Sequence, residues 1–184
     1  MDNPSLKQLT DHLAMIYDGD PWYGHSIQAV LQSVDPTCAF DSPGNGTHPI
    51  AELVAHIITW REFTGQRLRG ESEHLPDQEA SFDWKQFSNG KNDVWDNLIS
   101  TLNDSQTQLL LLLRRQDDAI LNQRVAGKPY TFHYLLTGLL QHDVYHLGQI
   151  AYIQKLMEQQ KRPAPGLLKY SYKIFPFENL ALQK

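Results

Sequence analysis

The segment Gln141-His142-Asp143-Val144-Tyr145-His146-Leu147-Gly148-Gln149-Ile150 carries two histidines four positions apart within a helical pattern. Residues with this spacing lie one turn apart on the same face of an α-helix. The same face carries the apolar side chains of Leu135, Leu139, Ile150 and Ile153. The pattern therefore predicts a helix whose two histidines point into the interior of the protein.

These inward histidines, His142 and His146, have two interpretations. A single buried histidine is usually a core residue whose ring nitrogens have found hydrogen-bond partners. Two imidazoles one turn apart would repel each other if both were charged. A divalent metal ion removes both difficulties, because it accepts the lone pairs of two neutral imidazoles. The spacing favours a metal site over a pair of core histidines.

Apolar periodicity elsewhere in the chain predicts an all-α protein with four helical elements. The predicted elements cover residues 5–34, about 50–69, 92–116, and 132 to just before Pro163. The first is interrupted near Gly19–Pro21, and the break is either a kink or the rim of a pocket. The simplest arrangement is a single domain, residues 1–184, folded as an up-down-up-down four-helix bundle.

The segments between these elements are rich in turn-forming residues. Residues 35–49 are expected to form a loop, in which Cys38 is a loop thiol rather than a nucleophile. Residues 70–90 form a long polar connection with a turn near Trp84, and 117–131 form a turn flanked by short extended pieces. The aromatic tail, residues 162–184, is expected to pack across the bundle or against a second subunit.

Composition excludes several classes of function. The net charge is -5 and the sequence has no basic stripe, which argues against nucleic-acid binding. No apolar run approaches the roughly 18 residues that a membrane span needs. The N-terminal residues lack the basic start and apolar stretch of a signal peptide. With a single cysteine, the expected setting is cytoplasmic.

A metal site needs a third ligand, and His56 is the best candidate. It lies in the middle of the second predicted helix, beside the apolar face, and bundle sites recruit side chains from facing helices. Three histidines leave a coordination position open for water or substrate, as catalytic sites do. The sequence therefore predicts a metal site formed by His56, His142 and His146.

The residues around the two helical histidines differ from those of a zinc protease. Asp143 is one methylene shorter than the glutamate of that motif and points off the metal-facing line, so a capping or ligand-supporting role is expected. Trp22, Trp60 and Gln149 are proposed to line a pocket. Tyr145 and Tyr152 lie on another strip of the helix, which suits an interface or a bundle contact.

Several segments resemble the DinB/YfiT-like superfamily: His142–Ile150, Ile50–Ile57, Asp18–Gly24 and Gly127–Phe132. The resemblance implies a four-helix bundle that is frequently a homodimer. It also implies one divalent metal ion, most often nickel or zinc, held by His56, His142 and His146.

Members of this family include thiol-dependent S-transferases and isomerases that use low-molecular-weight thiols, and others are described as metal-dependent hydrolases. The resemblance therefore implies a metal-dependent enzyme in which the ion activates a thiol or a water molecule. Two alternatives stay open. The metal could be structural in a non-catalytic bundle, or the tail from Tyr170 to Phe177 could bind a partner.

Overall fold

The structure is a computed structural model that describes residues 5–44, 46–71, 84–87 and 92–161. The regular secondary structure of the described residues is helical. They contain no β-strand beyond one isolated bridge between Arg124 and Thr131, so the all-α prediction is confirmed. The α-helices are α1 (Leu6–Asp18), α2 (Ile27–Gln32), α3 (Ile50–Leu68), α4 (Asn92–Leu113) and α5 (Phe132–Lys161). A 3₁₀ helix, Asp118–Asn122, precedes α5.

The first predicted element is two helices rather than one. Ser5 and Gln8 form a capping box that starts α1, and the hydroxyl of Ser26 accepts a hydrogen bond from the amide of Ala29 at the start of α2. Between them, α1 ends at Gly19, where a Cβ would lie only 2.9 Å from the backbone of Met15. A side chain at this position would clash with the last turn of α1, so the predicted break at Gly19 has a steric cause.

Two apolar clusters show how the helices run. One contains the N-terminal halves of α3 and α4, represented by Val54 and Leu98, with the C-terminal half of α5. The other contains the C-terminal ends of α3 and α4, represented by Phe63 and Leu109, with the N-terminal half of α5 and most of α1. Helices α3 and α4 therefore run in the same direction, and α1 and α5 run opposite to both.

The predicted up-down-up-down order is therefore wrong, because the observed order of α1, α3, α4 and α5 is up-down-down-up. Helix α3 has 19 residues, which corresponds to a length of about 28 Å. The connection between α3 and α4, residues 69–91, is long enough to return along the whole of α3 at about 3.3 Å per residue. A long crossover of this kind permits parallel neighbours, which short loops do not.

A buried layer of polar side chains separates the two apolar clusters. It contains Arg61 of α3, Gln106 of α4 and Asp143 of α5, and we call it the polar layer. Arg61 and Asp143 are almost inaccessible to solvent, at 1% and 0% exposure. Since buried charges are costly unless paired, a cluster of polar groups at mid-bundle marks the region where a functional site is expected.

Other expectations have mixed outcomes. Residues 117–131 contain the expected turn, with Gly127 at φ 73° and the bridge from Arg124 to Thr131, but the 3₁₀ helix was not anticipated. Residues 84–87 have no regular secondary structure, rather than the expected turn. Cys38 lies in the turn before α3 and is partly exposed. None of the helices in the described parts of the chain is long and apolar enough to span a membrane.

The expected packing of residues 162–184 falls outside the described residues. The assignment of 1–184 to a single domain stays a prediction.

Candidate metal centre

Three histidines from two helices meet beside the polar layer. His56 lies on α3, and His142 and His146 lie one turn apart on α5. Their potential ligand atoms all lie within 4.8 Å of one another. His56 and His146 are each 5% exposed, and His142 is partly buried. The structure thus brings together the three residues that the sequence nominated, and we call them the histidine cluster.

Two of the ring nitrogens face each other directly. The Nε2 atoms of His56 and His142 are 2.9 Å apart. A tetrahedral ion with metal–nitrogen bonds of about 2.0–2.1 Å holds its ligand nitrogens roughly 3.3 Å apart. This one pair is therefore slightly closer than in a loaded site, whereas the ligand atoms of all three histidines lie within 4.8 Å of one another. The donor set fits a divalent metal that accepts imidazole nitrogens.

His146 is held in a state suited to metal binding. Its Nδ1–H donates to Oε1 of Gln149 at 2.6 Å, and the Gln149 amide lies 3.2 Å from the hydroxyl of Tyr145. The Nε2 lone pair of His146 is therefore the one available to the cluster. Burial, together with the nearby His142, lowers the pKa of His146 to about 4, so the ring is neutral at pH 7.

Gln149 thus has a different place from the one expected. The sequence suggested that it lines a pocket, whereas the structure shows it holding the outer nitrogen of His146. A partner on the non-coordinating nitrogen fixes both the tautomer and the ring direction of a metal-binding histidine.

Asp143 lies beside the cluster, with one carboxylate oxygen bound to Arg61 and the other 3.8 Å from Nδ1 of His142. Its Oδ2 accepts a hydrogen bond from Nη2 of Arg61 at 2.7 Å. Arg61 also donates to Oε1 of Gln106, whose Nε2 donates to the carbonyl of Leu13 at 3.2 Å. The carboxylate is therefore part of the polar layer, and the expectation that it supports rather than replaces a ligand agrees with its position.

Trp84 covers one side of the cluster. Its ring is sandwiched between His48, at a centroid distance of 3.7 Å, and His56, at 4.1 Å, with both imidazole planes nearly parallel to the indole. His48 is fixed in turn, because its Nδ1 lies 2.7 Å from Oε2 of Glu52. The sequence did not indicate that Trp84 belongs to the site. It lies in an irregular connection, where no periodicity predicts which way a side chain points.

A cavity of about 270 Å³ opens beside the cluster. Its wall is mostly apolar and includes Trp60 and His142; the other lining residues are Tyr130, Tyr134, Leu135, Gly138 and Leu139. The structure places Trp60 in this wall. Tyr130 was missed because the turn that brings it towards α5 has no helical period, whereas Leu135 and Leu139 were expected on the histidine face of the helix but not as cavity lining.

The suggestion for Trp22 does not agree with the structure. Its side chain is fully exposed, at 100%, and does not line the cavity beside the histidine cluster. The irregular segment between α1 and α2 turns the indole into solvent. The neighbouring Tyr23 is also exposed, at 45%.

The sequence was compared with known proteins. A family model described as DinB superfamily matches residues 24–150, which is more than half of the 184-residue chain. The match includes all three residues of the histidine cluster. No curated protein and no solved structure matched the chain.

Proposed function

This chain belongs to the DinB superfamily, and we propose that it is a divalent-metal-dependent enzyme acting on a small molecule through a three-histidine site. The observation that carries this proposal is the histidine cluster itself, three imidazoles with ligand atoms within 4.8 Å of one another beside an apolar cavity. Residues His56, His142 and His146 would hold one ion per chain; an all-imidazole donor set suits several divalent metals, and the family resemblance favours nickel or zinc.

The cluster supports an open rather than a closed coordination shell. Within residues 5–44, 46–71, 84–87 and 92–161, the group of potential ligands that the structure brings together contains three histidines. Catalytic sites with three protein ligands keep a position for water or substrate. A divalent ion bound there would lower the pKa of a coordinated thiol or water and make it a nucleophile.

The cavity indicates what kind of molecule is bound. Trp60, Tyr130, Tyr134 and Leu139 offer aromatic and aliphatic surface, and His142 lies in the same wall. A ligand whose apolar body fills about 270 Å³ would place one end beside the cluster. The apolar wall excludes water from that end, which strengthens polar interactions with the reacting group.

Within this framework we propose thiol S-transferase-like or hydrolase-like chemistry. In the first, a low-molecular-weight thiol is the cosubstrate: it gives up its proton, its sulfur forms a bond to an electrophilic carbon of the apolar substrate, and the leaving group departs from that carbon with the bonding electron pair and takes up a proton. In the second, water takes the same position. The proposed setting is cytoplasmic, where low-molecular-weight thiols are kept reduced.

Metal analysis and ligand screening test the proposal. We expect the purified protein to hold about one zinc or nickel ion per chain by elemental analysis. We expect His142→Ala to lose that metal, whereas His12→Ala, which changes an exposed histidine of α1, keeps it. Thermal shifts with a panel of low-molecular-weight thiols then separate the two chemistries. A protein that binds no divalent metal would refute the proposal.

A structural role for the metal is the second candidate. The cluster links α3 to α5 at the middle of the bundle, beside the polar layer, where a shared ion would hold the two helices together. This reading predicts a large fall in melting temperature on chelation and no response to thiols or to apolar ligands. The enzymatic reading predicts both responses.

We also propose that the protein is a homodimer. Tyr145 and Tyr152, which suited an interface, are 64% and 65% exposed on α5, and Tyr134 lies on the same face at 67% exposure. Three large aromatic side chains in one exposed row are typical of a contact surface.

A further inference from the structure

A ring nitrogen and a carboxylate oxygen at the histidine cluster are buried and have no hydrogen-bond partner among the described residues. They are Nδ1 of His142 and Oδ1 of Asp143. They lie 3.8 Å apart, slightly too far for a hydrogen bond. An imidazole N–H and a carboxylate oxygen are a matched donor and acceptor, and leaving both unpaired in the interior is costly. Each can therefore serve as the partner of the other, although Nε of Arg61 is also buried and unpaired beside the same carboxylate.

The carboxylate is not free to turn away from His142. Its other oxygen is bound to Arg61 at 2.7 Å, and both side chains are fully buried. Arg61 is itself fixed, because it donates to Gln106 and lies 4.8 Å from the centre of the Tyr17 ring. Contacts from α1, α3 and α4 thus determine where Oδ1 of Asp143 lies.

We propose that Asp143 is a positioning residue that accepts a hydrogen bond from Nδ1–H of His142, and that Arg61 holds Asp143 in place for this purpose. The inference rests on the proposed metal site. The bond requires the two atoms, now 3.8 Å apart, to approach by about 1 Å. His142 then presents the Nε2 lone pair, as Gln149 makes His146 do.

The Asp143→Asn variant tests this hydrogen bond, because an amide has one acceptor oxygen and one donor NH₂ where a carboxylate has two acceptor oxygens. In Asp143→Asn, Arg61 still needs an acceptor, so the amide oxygen faces Arg61 and the amide NH₂ faces Nδ1 of His142. His142 must then accept at Nδ1 and carry its proton on Nε2, which is the wrong tautomer for the metal. We expect the affinity for Zn²⁺, measured by competition with a chromophoric chelator, to fall about 10- to 100-fold.

Two double variants, each of which removes one positive and one negative charge, separate the effect of the His142 ring orientation on Zn²⁺ affinity from the effect of fold stability. They also allow the proposal to be tested if the Asp143→Asn variant does not fold. In Arg61→Met with Asp143→Asn, the amide is free to turn its oxygen to His142, so the affinity for Zn²⁺ should return to within a few-fold of wild type. In Arg61→Met with Asp143→Leu no acceptor remains, and the affinity should stay about 10- to 100-fold reduced. Both doubles lack the buried ion pair, which proteins often tolerate when both partners are replaced.

Leu136→Ala is the stability control. Leu136 is fully buried on α5 in the apolar cluster away from the polar layer, so its truncation should destabilise the fold without altering the affinity for Zn²⁺. Equal affinities for the two double variants would overturn the proposal. So would a wild-type affinity for a folded Asp143→Asn variant.

The protonation state of His142 in the metal-free protein can be measured whether or not the protein binds a metal ion. Long-range ¹H–¹⁵N spectra of the imidazoles report which nitrogen carries the proton. We expect His142 to be protonated at Nδ1 in the wild type and at Nε2 in Asp143→Asn. If the wild type takes up no Zn²⁺, the proposed function fails, while these spectra still decide whether Asp143 orients His142.

Discussion

The indole ring of Trp84 lies flat on the imidazole of His56, with ring centroids 4.1 Å apart and planes inclined by 1°. On its other face the same indole stacks on His48, at 3.7 Å. A residue from the connection between α3 and α4 therefore seals one side of the histidine cluster. The opposite side, at His142, opens to the apolar cavity.

The Trp84 stack predicts a fluorescence signal for metal binding. Ni²⁺ bound at the histidine cluster should quench tryptophan emission, because Trp84 and Trp60 both contact His56. Trp84→Phe should remove a large part of that quenching. Trp95→Phe is the matched control, since the Trp95 ring packs edge-on against Phe40, with centroids 6.4 Å apart, whereas Trp84 stacks directly on His56. Equal quenching in Trp84→Phe and wild type would contradict this arrangement.

The buried His146 predicts how the stability of the metal-free protein depends on pH. Its pKa falls from 6.5 to about 4 on folding, chiefly because of burial. Between these values the unfolded chain binds the proton and the folded chain does not. The free energy of unfolding should therefore fall as pH falls from about 6.5 to about 4, by up to about 1.4 kcal/mol per pH unit for one proton.

Urea unfolding of metal-free protein at a series of pH values checks this dependence. His146→Gln should flatten the curve in this window, whereas His12→Gln, which changes an exposed residue, should not. An unchanged slope in His146→Gln would show that another group is responsible.

Gln149 is predicted to matter for metal affinity rather than for substrate contact. Gln149→Leu removes the acceptor from Nδ1 of His146 and should weaken Zn²⁺ binding by about 10- to 100-fold. Gln154→Leu is the control, because it is the same substitution on the same helix. The Gln154 side chain donates to Ser33 at the end of α2 rather than to a histidine of the cluster. Chelator competition should give a wild-type affinity for Gln154→Leu, and a similar loss in both variants would argue against a specific role.

Filling the cavity should block ligand binding without affecting the fold. Gly138 is helical and lines the cavity, and no atom lies within 4 Å of where its Cβ would be. Gly138→Leu should leave the melting temperature unchanged or raised, because glycine is unfavourable in a helix by about 1 kcal/mol. It should reduce the binding of an apolar fluorescent probe such as N-phenyl-1-naphthylamine.

Gly148→Leu is the control for this experiment. Gly148 is also helical, with open space around its Cβ position, but it lies outside the cavity wall and is exposed. Probe binding that is retained in Gly138→Leu would place the ligand elsewhere.

The exposed tyrosines of α5 predict a self-association surface. Tyr152→Lys introduces a charge on this face and should shift a dimer to monomer in sedimentation velocity. Met15→Lys changes an exposed apolar residue of α1 and should leave the assembly unchanged. A wild type that sediments as a monomer would remove this surface from consideration.

Much of the architecture could be predicted from the sequence because it is encoded locally. The helical period that locates α3, α4 and α5 is a property of each segment, and so is the break at Gly19. The direction of α4 is different. It depends on how the long connection after α3 returns, and periodicity within a helix does not report whether a neighbour runs parallel or antiparallel.

The candidate site divides in the same way. The sequence by itself determined that His142 and His146 share a face, because the four-residue spacing fixes their relative direction on any α-helix. It also nominated His56, through its place on a facing helix. Only the tertiary structure decided the partners of these rings: Gln149 on His146, Trp84 on His56, and Asp143, held by Arg61, beside His142. The physical reason is that burial, stacking and the pairing of charges depend on which distant segments pack together, and no local pattern in this chain reports that.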